Sequence, residues 1–215
     1  MLGPPDDGEI MFTVHMEPVS LQASRAKKGV ITRAVREALG RPNFLFSGEV
    51  EVAIEWLLSE EKRYHTSKSP DVDNIIKPIQ DALCGPDALL INDVQVQSVR
   101  CHWVDWTSPN HEVTIWVRTL LPDDWVQKDG LVFVRVTDTL CTPFDAALPL
   151  RRERLETILG MVRGYEELLT ETGSYASAKA VLPQQMLFHT AKVQGFRLLS
   201  PEEVFEDDEK RVGGV

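Results

Sequence analysis

Four side chains near the middle of the chain are of the types that handle phosphate esters. Asp71 and Asp73 stand two residues apart in the stretch Ser69–Leu83, and Lys77 follows Asp73 by four. Asp93 lies ten residues beyond Leu83, within Ile91-Asn92-Asp93-Val94-Gln95-Val96. Three carboxylates drawn together repel and raise one another's proton affinity unless a cation lies among them. An all-oxygen donor set is hard, so Mg²⁺ is the expected ion, with Mn²⁺ as its substitute, rather than zinc. One or two such ions could bind a scissile phosphate and activate water. Lys77, which does not bind metal, would offset charge developing on the phosphorane.

These residues need elements to hold them. Pro70 biases Ser69 toward extended backbone, and an extended Asp71–Asp73 would turn both carboxylates to one side. Asp73 or Asn74 then caps a helix whose Ile75, Ile76, Ile79 and Leu83 supply a core face. Pro78 would cost that helix only a first-turn hydrogen bond, and Gly85-Pro86 would close it. Lys77 stands one turn above Asp73. A helix of about 11 residues is ~16 Å long, whereas nine extended residues cover ~30 Å. Gly85–Asn92 can therefore bring Asp93, at the mouth of the next strand, back to the helix. The ordinary alternative is that Asp71 and Asp73 merely cap, and that Lys77 and Asp81 form a surface pair.

The surrounding pattern is α+β. Ile10–Met16 reads as a strand, Val19–Gly29 as a basic loop and Val30–Leu39 as a helix ended by Gly40-Arg41-Pro42. Glu49–Leu58 alternates cleanly, with Val50, Val52, Ile54, Trp56 and Leu58 on one side. Ser59–Pro70 reads as a polar loop, and strands are expected around Asp93–Trp103 and Glu112–Thr119. Together these give a β-α-β-α-β-β core, a mixed sheet with two helices, over residues 10–120. Residues 121–215 read as an extension of hairpin, amphipathic helix, linker and acidic tail. The hairpin falls on Trp125–Val136 about Asp129-Gly130, the helix on Leu150–Leu169 and the linker on Thr170–Ala180. Ser200-Pro201-Glu202-Glu203 forms a capping box ahead of the tail Glu206–Glu209, which is expected to be disordered.

The net charge of −10 argues against a nucleic-acid partner until its distribution is considered. Ser24–Arg41 carries six basic side chains against Glu37 alone. Its Arg25, Lys27, Lys28, Arg33 and Arg36, with Lys62, Arg63 and Lys68 just ahead of the aspartates, are the candidate DNA contacts. Three scattered cysteines without a CxxC pair argue against a disulfide framework or zinc site. No apolar run approaches the ~18 residues of a membrane span, and Met1–Ile10 lacks the apolar core of a signal peptide. A cytoplasmic protein is expected.

The series Asp71-x-Asp73-Asn74-x-x-Lys77-Pro78-x-x-Asp81-Ala82-Leu83 followed by Asn92-Asp93-x-Gln95-Val96 resembles the signature of RusA-type Holliday junction resolvases. Pro18-Val19-Ser20 is also similar to that family, and the resemblance spans roughly residues 10–120. It implies a homodimeric, Mg²⁺-dependent endonuclease that makes paired nicks in four-way DNA junctions during recombination and repair. Asp71, Asp73 and Asp93 would be the catalytic, metal-binding aspartates and Lys77 the catalytic lysine, with Asn74 and Asp81 in support. Asn92 stands where the family often has a second aspartate. A replication-associated or junction-binding adaptor that does not cut could use the same fold; the complete set of three aspartates and Lys77 favours the nuclease. Gln184-Gln185-Met186-Leu187-Phe188 resembles the Q-x-x-L-F peptide that docks into bacterial sliding clamps, although a buried strand explains Met-Leu-Phe equally well.

Overall fold

The computed structural model describes residues 3–17, 24–65, 72–108, 110–149, 151–182 and 187–212. The chain divides into two compact units, Met1–Trp125 and Val126–Val215.

In the first unit the elements run β1 (Glu9–His15), α1 (Arg25–Leu39), β2 (Phe44–Phe46), β3 (Val50–Ser59), α2 (Glu60–His65), α3 (Val72–Ala82), β4 (Val96–Trp106) and β5 (Glu112–Thr119). Four strands form a mixed sheet in the order β1-β5-β3-β4. β5 pairs antiparallel with both β1 and β3, and β3 pairs parallel with β4. The architecture is the expected mixed α+β sheet with two core helices. The alternation in β3 buries Val50, Val52, Ile54, Trp56 and Leu58 at no more than 1% exposure, so every second residue of this strand serves the core. Ile31 and Val35 of α1 and Ile75, Ile79 and Ala82 of α3 join that core with Val113, Ile115 and Val117 of β5. Each such side chain contributes roughly 1.5–3 kcal/mol by leaving water.

Three local expectations are corrected. Helix α1 begins at Arg25, so 25–29 of the basic "loop" is helical; Arg, Ala and Lys are strong helix formers even without an apolar stripe. Part of the polar segment after β3 is the helix α2, opened by Glu60-Glu61 and closed by Lys62, Arg63 and His65 in agreement with the helix dipole. Helix α3 begins at Val72, so Asp73 and Asn74 are helical residues rather than caps, and Asp73 is not extended. Pro78 is thereby the seventh helical residue, and the bond it cannot donate is an interior one.

The second unit holds β7 (Leu131–Arg135), β8 (Leu140–Asp145), α4 (Arg151–Thr172), α5 (Tyr175–Lys179), β9 (Phe188–His189), β10 (Leu198–Leu199) and α6 (Pro201–Val212), after a short strand β6 (Trp125–Gln127) at the junction. Its sheet has the order β10-β7-β8-β9. The hairpin is β7–β8, with Leu131 opposite Asp145, and not Trp125–Gln127 with β7. Gly130, at φ 75° and with Ala147 against its Cα, is needed there, but Ala146 N–H donates to its carbonyl from beyond β8. Val132 and Phe144 of the sheet pack with Leu155 of α4 and Val204 of α6. The expected linker is the end of α4 and the short helix α5, whose N-cap is Ser174. The capping box forms as read: Glu203 N–H donates to Ser200 Oγ, and Ser200 N–H to Glu203 Oε2 at 2.7 Å. The acidic tail is not disordered over its described length, because Glu206–Glu209 belong to α6.

Candidate active site

The connection from α3 to β4 decides where Asp93 goes. Leu83, Leu89 and Leu90 are fully buried. Leu89 and Leu90 N–H both donate to Leu83 O, and Gly85, at φ 107°, donates to Leu90 O. Phe46 N–H of β2 donates to Leu89 O at 2.8 Å. The segment is thus a packed hook. It ends in a single 3₁₀ turn, Asp93–Gln95, ahead of β4, so Asp93 lies on a turn and not on the strand itself.

Gln95 fixes that turn. Its amide is 3% exposed and uses its hydrogen-bonding capacity in four bonds. Oε1 accepts from Ile91 N–H (2.8 Å) and Asn92 N–H (3.1 Å), while Nε2 donates to Phe46 O (2.8 Å) and Gly48 O (2.9 Å). One side chain therefore ties the turn carrying Asp93 to the backbone between β2 and β3. Gly48 cannot carry a Cβ, which would fall 2.1 Å from Asp124 Oδ2. Asn92 Oδ1 accepts from Val94 N–H at 3.2 Å as the N-cap of the turn. Its side chain has a structural task, consistent with an amide where the related pattern carries a carboxylate.

Lys77 meets this turn from α3. Its Nζ donates to Asp93 Oδ2 and, one helical turn on, to Asp81 Oδ1 at 2.8 Å. Partial burial opposes the charged form, but the hydrogen bonds and charges of Asp81 and Asp93 outweigh it and push the pKa of Lys77 up to about 12. The ammonium is a permanent cation held between two carboxylates. Burial, with Asp93 nearby, pushes the adjacent Cys84 thiol up to about 12, and its Sγ donates to Gln80 O. Cys84, Cys101 and Cys141 are all free thiols.

The structure thus brings Lys77, Asp81 and Asp93 together. Asp71 lies outside the described residues, as do the side chains of Asp73 and Asn74; on the backbone Asp73 stands one turn before Lys77 in α3. Among the described residues no group of three or more His, Cys, Asp and Glu side chains forms a metal site.

The expected DNA contacts separate into three groups. Lys68 and the side chains of Arg25, Lys27 and Lys28 lie outside the described residues. Lys62 is paired with Glu17, and Arg63 with Asp105 at 2.5 Å, where Tyr64 Oη also donates. Arg36 is a strut: Nη2 donates to Cys84 O at 3.1 Å and Nη1 lies 3.8 Å from Asp87. Arg33 is exposed and lines a groove with Gly40 and Arg41. Sequence reasoning missed the task of Gln95, although the residue stands in the motif, because spacing does not show which backbone atoms an amide reaches. Of the clamp-like peptide, Pro183–Met186 lie outside the described residues. Phe188 is 5% exposed in β9 with its ring 6.0 Å from that of Phe133, so this anchor is already packed in its own unit.

No helix among the described residues is long and apolar enough to cross a membrane. No curated protein matches the chain. Residues 18–117 match the family described as Endodeoxyribonuclease RusA, a span that contains α1, β3, α3, the Asp93 turn and most of β5. Residues 18–117, which hold both core helices, β3, β4 and the Lys77–Asp93 cluster, are thus similar to the endodeoxyribonuclease RusA family over a little under half of the chain.

Proposed function

We propose that the chain is a Mg²⁺-dependent endonuclease that resolves four-way DNA junctions by paired phosphodiester hydrolysis, acting as a homodimer in recombination and repair. The observation that carries this reading is the seating of Lys77 Nζ between the carboxylates of Asp93 and Asp81. A cation is already at home in this donor set, and oxygen is its only donor type, which suits a hard divalent ion. Asp93 would hold that ion with Asp71 and Asp73. The ion, when bound, supplies Lewis acidity and an activated water.

The chain's own residues do the rest. An ammonium has three protons to donate; Asp81 and Asp93 take two, and the third suits a non-bridging phosphate oxygen. Lys77 then carries positive charge to the place where negative charge develops. As an ammonium it donates hydrogen bonds and accepts none, so it is not the base for the attacking water. Gln95 holds Asp93 in place during the reaction. A dimer would supply two such sites, one for each nick.

A panel of four-way junction, flap and linear duplex, each with Mg²⁺, Mn²⁺ or EDTA, tests the reading. The expected result is metal-dependent cutting of the junction with two symmetric nicks. A junction left intact in both metals but bound tightly would instead support a non-cleaving adaptor, and cutting in EDTA would exclude the proposed chemistry.

A further inference from the structure

Helix α1 ends in an unusual way. Gly40, at φ 72°, donates its N–H to Arg36 O and Glu37 O, the ordinary left-handed glycine stop. Arg41 follows at φ 55°, and among the described residues it is the non-glycine residue with positive φ. A side chain with a Cβ is costly in that region, and Pro42 restricts the preceding residue further. Glycine or asparagine would satisfy the turn at lower cost. Arginine here is strained, and it lines a groove.

That groove is lined by Gly29, Thr32, Arg33, Arg36 and Gly40 along α1, by Arg41 itself, and by the carboxylates Glu37 and Asp87. Arg36 is committed to Cys84 O and Asp87, which leaves Arg33 and Arg41 to present guanidiniums to solvent. Glycines 29 and 40 keep the floor open; a Cβ at either would meet nothing within 4 Å. An open groove with two available planar forks fits an extended chain of phosphodiesters rather than an apolar ligand.

We propose that Arg41, with Arg33, forms a backbone-phosphate grip for DNA in this groove, and that its left-handed conformation is retained for that contact. The inference rests on the nuclease reading for its ligand. It moves the grip from Arg36, which serves the fold, to Arg41, which the charge pattern alone did not single out.

The test uses the whole chain in EDTA, to withhold the metal, and a fluorescent four-way junction titrated by anisotropy between about 50 and about 200 mM NaCl. Arg41→Gly relieves the backbone and is expected to keep Tm within about 2 °C of wild type. The same variant should bind the junction about tenfold more weakly, with the log–log salt slope reduced by about one. Arg41→Lys should recover part of the affinity, and Arg33→Ala, on an exposed helix position, should show a loss like that of Arg41→Gly. Equal affinity and slope for wild type, Arg41→Gly and Arg33→Ala overturn the inference while leaving the nuclease reading intact. A wild-type protein that fails to bind the junction overturns both.

Discussion

In the unit Met1–Trp125 a buried amide, Gln95, spends four hydrogen bonds on the turn that carries Asp93. In Val126–Val215 the comparable buried hydroxyl, Thr142 Oγ1, has no partner among the described residues although its side chain is fully buried on β8. The cations beside these groups differ too. Lys77 of the first unit lies between two carboxylates, whereas Arg152 and Arg154 of the second stack over Phe205 and Phe144 at 4.7 and 5.5 Å. Around Asp93 the first unit fixes oxygen atoms at defined places, as phosphate chemistry requires. In the second, Arg152 and Arg154 cover aromatic surface, which stabilises a small sheet. The family match falls wholly within the first.

Several substitutions probe that contrast, and the largest effect belongs to the site. Lys77→Ala should lower the single-turnover cleavage rate about 10²–10³-fold, since one charged donor aimed at developing charge is worth that much. Junction affinity should change far less, and equal losses in rate and affinity would make Lys77 a binding residue instead.

Gln95→Ala comes next. It strands two N–H and two C=O groups around a buried turn, and urea unfolding should show a loss of about 3 kcal/mol. A loss under about 0.5 kcal/mol would mean that the turn holds itself and that Gln95 does not support Asp93.

Thr142→Val should act in the opposite direction. Removing a buried hydroxyl that has no partner among the described residues, at nearly constant volume, is expected to stabilise the protein by about 1 kcal/mol in the same urea assay. A destabilisation of that size would show that the second unit satisfies this group after all, and would erase the contrast with Gln95.

The smallest effect is chemical. Burial pushes Cys101 and Cys141 up to about 11 and Cys84 up to about 12, so each thiol is protonated until the pH approaches those values. Because the thiolate is the nucleophile, Ellman's reagent at pH 8 should label the native protein far more slowly than the urea-unfolded chain. Rapid labelling of one native thiol would identify a cysteine that is not buried as described.

The site was legible in the sequence where spacing alone sets proximity. Lys77 and Asp81 stand four apart on one helix, and a short connection was long enough to return Asp93 to it. The alternation of β3 likewise named its buried residues, because a strand's period is a local property. What the sequence hid depends on distant partners. The Asp129-Gly130 turn sits between two strands that do not pair with each other, since β7 finds β8 instead. The charge of Arg36 resembled that of Arg33, yet only Arg36 faces the carbonyl of Cys84, 48 residues away. The start of α1, residues 25–29, and all of α2 were hidden differently: their polar, helix-forming residues carry no apolar period to announce them.

Metal-dependent cleavage should turn on Asp93. A Mg²⁺ titration of four-way junction cleavage by the wild-type protein and by Asp93→Asn, with binding measured in parallel, tests it most directly. Wild-type protein should cut with a saturating dependence on Mg²⁺, while the variant should bind the junction as tightly and leave it uncut at every metal concentration. Cutting by Asp93→Asn at the wild-type rate, or by either protein without metal, would contradict the claim that Lys77 and Asp93 mark a metal-dependent nuclease centre.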